Sequence, residues 1–127
     1  MARPKHEHPT PGELEILQVL WKLGQGTVRD VHEAMKGSKP RAYTTVMSLM
    51  NTMSEKGLLE REAAGKAFIY QARQRREQTL AGLVGDLMKR AFAGSAHALV
   101  AQLLETTDAK ELAEIRRTIE NYKRKRG

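Results

Sequence analysis

Apolar residues recur at helical spacing from residue 14 onward: Leu14, Leu17 and Trp21, interleaved with Ile16, Leu20 and Leu23. In front of them, Thr10-Pro11 supplies an N-cap and a proline at the first helical position, with Glu13 placed for a capping box. A first helix is therefore predicted to run to about Leu23, where Gly24 stops it. Its apolar positions spread widely around the axis, which suits a helix at the centre of a small core. Gln25-Gly26-Thr27 is a short connection with room for a single β-bridge. Thr27 or Arg29-Asp30 then opens a second helix with Val28, Val31 and Met35 on one side. Gly37-Ser38-Lys39-Pro40 is a strong turn signal, and a third helix follows over residues 42–56, closed by Gly57. Residues 58–63 and 67–72 read as two short strands around Ala64-Gly65, with Phe68 and Tyr70 on one face. Three helices followed by a hairpin is the element order of a winged helix-turn-helix.

Past Arg73 the pattern changes to long helical periods. Leu80, Leu83, Val84, Leu87, Met88 and Ala91 keep one face until Gly94-Ser95 breaks it. Leu99, Val100, Leu103 and Leu104 form a second run, and Thr107 or Asp108 caps a third that carries Leu112, Ile115, Ile119 and Tyr122. Three amphipathic helices of this size cannot bury such stripes alone. They must pack on another copy or on the first domain, and dimerisation is the economical reading. The fold class expected is mainly α: a winged-helix domain over residues 10–73 and a helical dimerisation domain over residues 74–127. The predicted dimer core is Leu83, Leu87, Leu99, Val100, Leu103, Leu104, Leu112, Ile115 and Ile119.

Composition narrows the chemistry. The 127 residues carry 22 Lys and Arg against 15 Asp and Glu, a formal +7 that favours anionic partners. There are no cysteines, which excludes disulfide scaffolds, thiol nucleophiles and thiolate metal sites. The start of the chain, residues 1–9, is polar and expected to be disordered. It has no signal-peptide pattern and no apolar run long enough to span a membrane, so a cytoplasmic location without membrane insertion is expected. His6, His8, His32 and His97 show no metal spacing with a carboxylate third ligand. Gly24-Gln25-Gly26 lacks the Lys-Ser/Thr of a phosphate loop, and no serine sits in a nucleophile elbow. No catalytic residue, metal site or cofactor is predicted.

The third helix carries the functional signal. With Thr44 at the origin of a wheel of about 100° per residue, Val46, Leu49, Met50 and Met53 fall between about 140° and 240°. Tyr43 and Gly57 border that side. Arg41, Thr44, Thr45, Ser48, Asn51 and Thr52 fall between about −20° and 100° on the same wheel. An ordinary solvated face would mix Glu and Lys. Here short hydroxyl and amide groups dominate, which hydrogen-bond phosphate oxygens and base edges. No acidic residue lies between Glu33 and Glu55, whereas Lys36, Lys39 and Arg41 do. Such a surface does not repel phosphate. Arg61 and Lys66 are expected to flank the hairpin tip, where a wing would lie along a nucleic-acid backbone; solvated edge charges that deter strand pairing are the alternative. The candidate DNA-contacting set is Lys39, Arg41, Tyr43, Thr44, Thr45, Ser48, Thr52, Arg61 and Lys66. The run Lys123-Arg124-Lys125-Arg126 reads as a solubilising end.

The segments Leu14-Glu15-Ile16-Leu17-Gln18-Val19-Leu20-Trp21, Val28-Arg29-Asp30-Val31-His32, Ala42-Tyr43-Thr44-Thr45-Val46-Met47 and Glu55-Lys56-Gly57-Leu58-Leu59 resemble the BlaI/MecI repressors. Gly65-Lys66-Ala67-Phe68-Ile69-Tyr70 and Phe92-Ala93-Gly94-Ser95 match as well, so the resemblance covers residues 10–120 in order. It implies a homodimeric winged-helix repressor on a dyad-symmetric double-stranded DNA operator. Helix three would lie in the major groove, with Thr44, Thr45 and Ser48 as its readers. A membrane-anchored sensor protease is the further partner implied for members induced by proteolysis. Three features depart from the family: Arg41 stands where Trp is common, the cysteine cluster of copper-responsive relatives is missing, and Gln102-Leu103 falls where antibiotic-responsive members have a cleaved Asn-Phe bond. A winged helix used as a protein-interaction adaptor is the competing function, and the basic end lying on a membrane surface is a weaker one. Salt separates the first of these, because DNA binding weakens steeply with ionic strength and an apolar protein contact does not.

Overall fold

The computed structural model describes residues 8–126. Of the start expected to be disordered, residues 1–9, the first seven lie outside the described residues, His6 among them. Six helices and one hairpin follow in order: α1 (Pro11–Leu23), α2 (Val28–Met35), α3 (Tyr43–Lys56), β1 (Leu59–Ala64), β2 (Ala67–Ala72), α4 (Arg76–Ala91), α5 (Ala96–Leu104) and α6 (Ala109–Arg126). They form two compact units divided after Leu83, inside α4 and beyond the boundary at residue 73 that the change in pattern suggested. The reason is local. The Trp21 indole Nε1–H donates to the Gln74 carbonyl at 2.9 Å, Thr79 is buried, and its hydroxyl meets Gln74 Oε1 at 3.3 Å. The start of α4 therefore belongs to the first unit.

In that unit, α1 begins with the capping box the sequence predicts. Thr10 Oγ1 accepts the Glu13 N–H at 3.2 Å, and Glu13 Oε1 accepts the Thr10 N–H at 2.9 Å. Glu13 does more than cap: it is buried, and Lys56 Nζ at the far end of α3 donates to both its carboxylate oxygens at 3.1 and 2.9 Å. A buried carboxylate is tolerated because both its oxygens are hydrogen-bonded and one of the donors is a cation. Thr10→Ala should remove the acceptor of the Glu13 backbone N–H, leave the Thr10 N–H on the carboxylate, and lower stability by about 1 kcal/mol, read from the urea unfolding midpoint. An unchanged midpoint would mean the cap contributes nothing.

Thr27 and Asp30 repeat the device at α2, with bonds of 3.1 and 3.0 Å. Near the end of α2, Lys36 bonds Glu33 at 3.0 Å and holds its carboxyl below the ordinary carboxylate range. Val31 and Met35 from α2 meet Ile16, Leu17 and Leu20 from α1 and Val46, Met50 and Met53 from α3, and all are essentially inaccessible to solvent. Leu59 and Tyr70 close the core from the hairpin. At Gly57 the backbone turns left-handed (φ 87°), and the Leu58 N–H reaches back to the Met53 carbonyl at 2.9 Å. That cap releases the chain directly into β1.

The hairpin is antiparallel, with Leu59 opposite Ala72 and Ala64 opposite Ala67. Gly65-Lys66 is a two-residue turn with Gly65 at φ 64°, where a side chain would be strained. Gly26 and Tyr70 exchange both backbone bonds at 2.9 and 2.8 Å, so the connection after α1 adds the single bridge expected there.

In the second unit Ser95 caps α5 and Asp108 caps α6, accepting backbone N–H groups at 3.0 and 2.8 Å. Neither helix contains a buried residue. Leu87, Val100, Leu103, Leu104, Leu112 and Ile119 are exposed, while Leu99 and Ile115 are half-buried, as is Leu83 at the end of the first unit.

Candidate nucleic-acid interface

The face of α3 opposite the core is set by three buried side chains. Val46, Met50 and Met53 fix the rotation of the helix, and Thr44, Thr45 and Ser48 are left exposed. Thr52 on the same side is half-buried. The first turn of α3 has no acidic residue. Glu55 returns to the azimuth of Thr44 only at the far end of the helix, about 16 Å away at about 1.5 Å per residue. The exposed hydroxyl surface at the start of α3 therefore carries no negative side chain of its own.

The basic residues around it are placed less simply than the wheel suggested. Ala42 is the N-cap and has extended backbone (φ −62°, ψ 146°), so Arg41 precedes the helix and leaves its wheel. Its guanidinium is turned onto Glu15 of α1, with Nε and Nη2 at 3.1 and 3.0 Å from Oε1. Lys39, at the preceding turn, stands 3.8 Å from the other oxygen of Glu15. Tyr43 is partly exposed and meets the ring of His32 edge-on, with centroids 5.5 Å apart. Lys66 occupies the hairpin turn and is exposed. Arg61 lies opposite Tyr70 in mid-strand rather than beside the tip. There its guanidinium packs over the Phe68 ring at 4.3 Å and donates to Asn51 Oδ1 at 3.1 Å.

Two further side chains belong to the description of this face. Asn51, on the polar side of the wheel, joins α3 to the hairpin through Arg61 and Tyr70, and no local pattern in the sequence encodes that pairing. Met47 is exposed, as its position at about 300° on the wheel, outside the apolar arc, implies. Among the described residues no group of three His, Cys, Asp or Glu side chains could hold a metal ion. No helix of the described residues is long and apolar enough to cross a membrane.

Three helices around one core, with an antiparallel hairpin folded beside the third, define a winged helix-turn-helix protein. The solution structure of the DNA-binding domain of the repressor BlaI has the same fold, with a TM-score of 0.52 and 19% identity, covering 59% of this chain and 90% of that one. The sequence profile of the penicillinase repressor family matches residues 9–121. The chain belongs to that family of transcriptional regulators. It is 32% identical over 112 residues to the transcriptional regulator BlaI of Mycobacterium tuberculosis, across 85% of this chain and 81% of the relative. It is 20% identical over 116 residues to the penicillinase repressor of Bacillus licheniformis, across 90% and 91% of the two.

Proposed function

We propose that the chain represses transcription as a homodimer on a dyad-symmetric DNA operator, with α3 in the major groove and the hairpin along the backbone. The observation that carries this reading is the exposed, acid-free hydroxyl face of α3 opposite its buried Val46, Met50 and Met53. Side chains at the start of a recognition helix meet base edges, and Thr44, Thr45 and Ser48 occupy that stretch. Lys66 supplies charge at the hairpin turn. The second unit, α5 and α6 without a buried residue, supports association of two copies.

A salt series tests the electrostatic half of this reading. Lys66→Ala should weaken binding to every duplex about equally and lower the slope of log K against log salt by about one. Arg41→Ala should change the slope by less, because its guanidinium is already neutralised by Glu15. Binding that ignores ionic strength would instead fit a protein-contact adaptor and would overturn the proposal.

A further inference from the structure

We propose that Asn51 is a positioning residue: a strut that holds Arg61 ready for the DNA backbone, and not a reader of bases. The inference rests on the DNA-binding reading above and deepens it. Asn51 Oδ1 accepts two bonds, from Arg61 Nη1 at 3.1 Å and from the Tyr70 hydroxyl at 3.2 Å. A guanidinium has donors only, so the carboxamide atom facing it must be the oxygen. Both lone pairs of that oxygen are then in use. Reading adenine requires the carboxamide oxygen and nitrogen together on one base edge. Asn51 cannot supply the oxygen without releasing Arg61 and Tyr70. The outward location that makes it look like a reader is therefore misleading.

The rest of the cluster fits a brace. Tyr70 is buried, and its backbone is pinned to Gly26 in both directions, so its hydroxyl is a fixed anchor. Phe68, on the same face of β2, provides a shelf for the Arg61 guanidinium at 4.3 Å. Arg61 is thus held from two sides, by an amide and by an aromatic ring. Asn51 takes only one of its five N–H groups, and the fork keeps donors for phosphate. Ordering a long side chain before binding reduces what must be lost on binding.

The test is a double-mutant cycle in the full chain. Asn51→Ala, Arg61→Ala and the double variant are titrated by fluorescence anisotropy against a duplex of unrelated sequence and a duplex enriched from a randomised pool. Melting temperatures are recorded for each. Asn51→Ala should weaken both duplexes by a similar factor, about threefold to tenfold. Arg61→Ala should weaken both and lower the salt slope by about one. In the Arg61→Ala background, Asn51→Ala should cost nothing more, because both act through the same guanidinium. Phe68→Leu, at an exposed ring, should reproduce the Asn51→Ala loss and likewise vanish in that background, which keeps the test open if Asn51→Ala unfolds.

A loss confined to the enriched duplex and undiminished without Arg61 would make Asn51 a reader and overturn the strut. So would an Arg61→Ala variant that binds with the parent affinity and slope while Lys66→Ala does not. That second outcome leaves the DNA-binding reading intact. A parent that binds no duplex in a salt-dependent way would overturn both.

Discussion

Leu103→Asp should convert a dimer into a monomer. Leu103 is 54% exposed on α5, and Val100 and Leu104 beside it are exposed as well. On α6, Leu112 and Ile119 are uncovered too, and Ile119 is 49% exposed. Side chains of this size seldom stand open in such numbers on one small unit unless a partner covers them. An aspartate placed in that contact must be desolvated without a counter-charge, which costs on the order of several kcal/mol. Light scattering at micromolar concentration should give about twice 14.3 kDa for the parent and 14.3 kDa for the variant. Affinity for a dyad site should fall by about a hundredfold or more, because the second half-site is no longer bound intramolecularly. A monomeric parent would contradict the dimer outright.

Thr45→Ala should separate recognition from folding. The residue is exposed one position before Val46, which has no solvent exposure at all. Losing a contact to a base edge costs about 1–3 kcal/mol at the correct site and almost nothing elsewhere. The variant should therefore bind the enriched sequence roughly tenfold or more weakly while keeping its affinity for unrelated DNA. Its melting temperature should hold or rise, since alanine is the better helix former and no cavity opens. Val46→Ala should do the opposite, lowering stability by about 2 kcal/mol through a core cavity with little change in the binding preference of the molecules that stay folded. If Thr45→Ala and Ser48→Ala both bind enriched and unrelated DNA as the parent does, this face is not the reader.

What the sequence made legible was local. The capping box at Thr10–Glu13, the stop at Gly57 and a tight turn around Gly65 are written in residues a few positions apart, and the structure has each of them. The choice between Thr27 and Arg29-Asp30 as the start of α2 falls to Thr27. The rotation of α3 was legible for the same reason, because burial follows a 3.6-residue period. Pairings across the fold were not. Glu13 meets Lys56 from 43 residues away, and Glu15 meets Arg41 from 26. No periodicity encodes such partners. Arg41 also shows where projection fails: a wheel assumes helical backbone, and the extended Ala42 takes Arg41 off it. Asn51 belongs to the same class, since its role depends on the register that sets Arg61 opposite Tyr70. The bond from Trp21 to Gln74, which ties the residues leading into α4 to the first unit from 53 positions away, is hidden in the same way.

The most direct test of the central claim is selection from a randomised duplex pool by the purified chain, followed by titration of the enriched sequence across a salt series. The account predicts a two-fold symmetric sequence bound about a thousandfold or more tighter than unrelated DNA, with log affinity falling linearly against log salt. A pool that yields no enriched sequence, or binding indifferent to ionic strength, would contradict it.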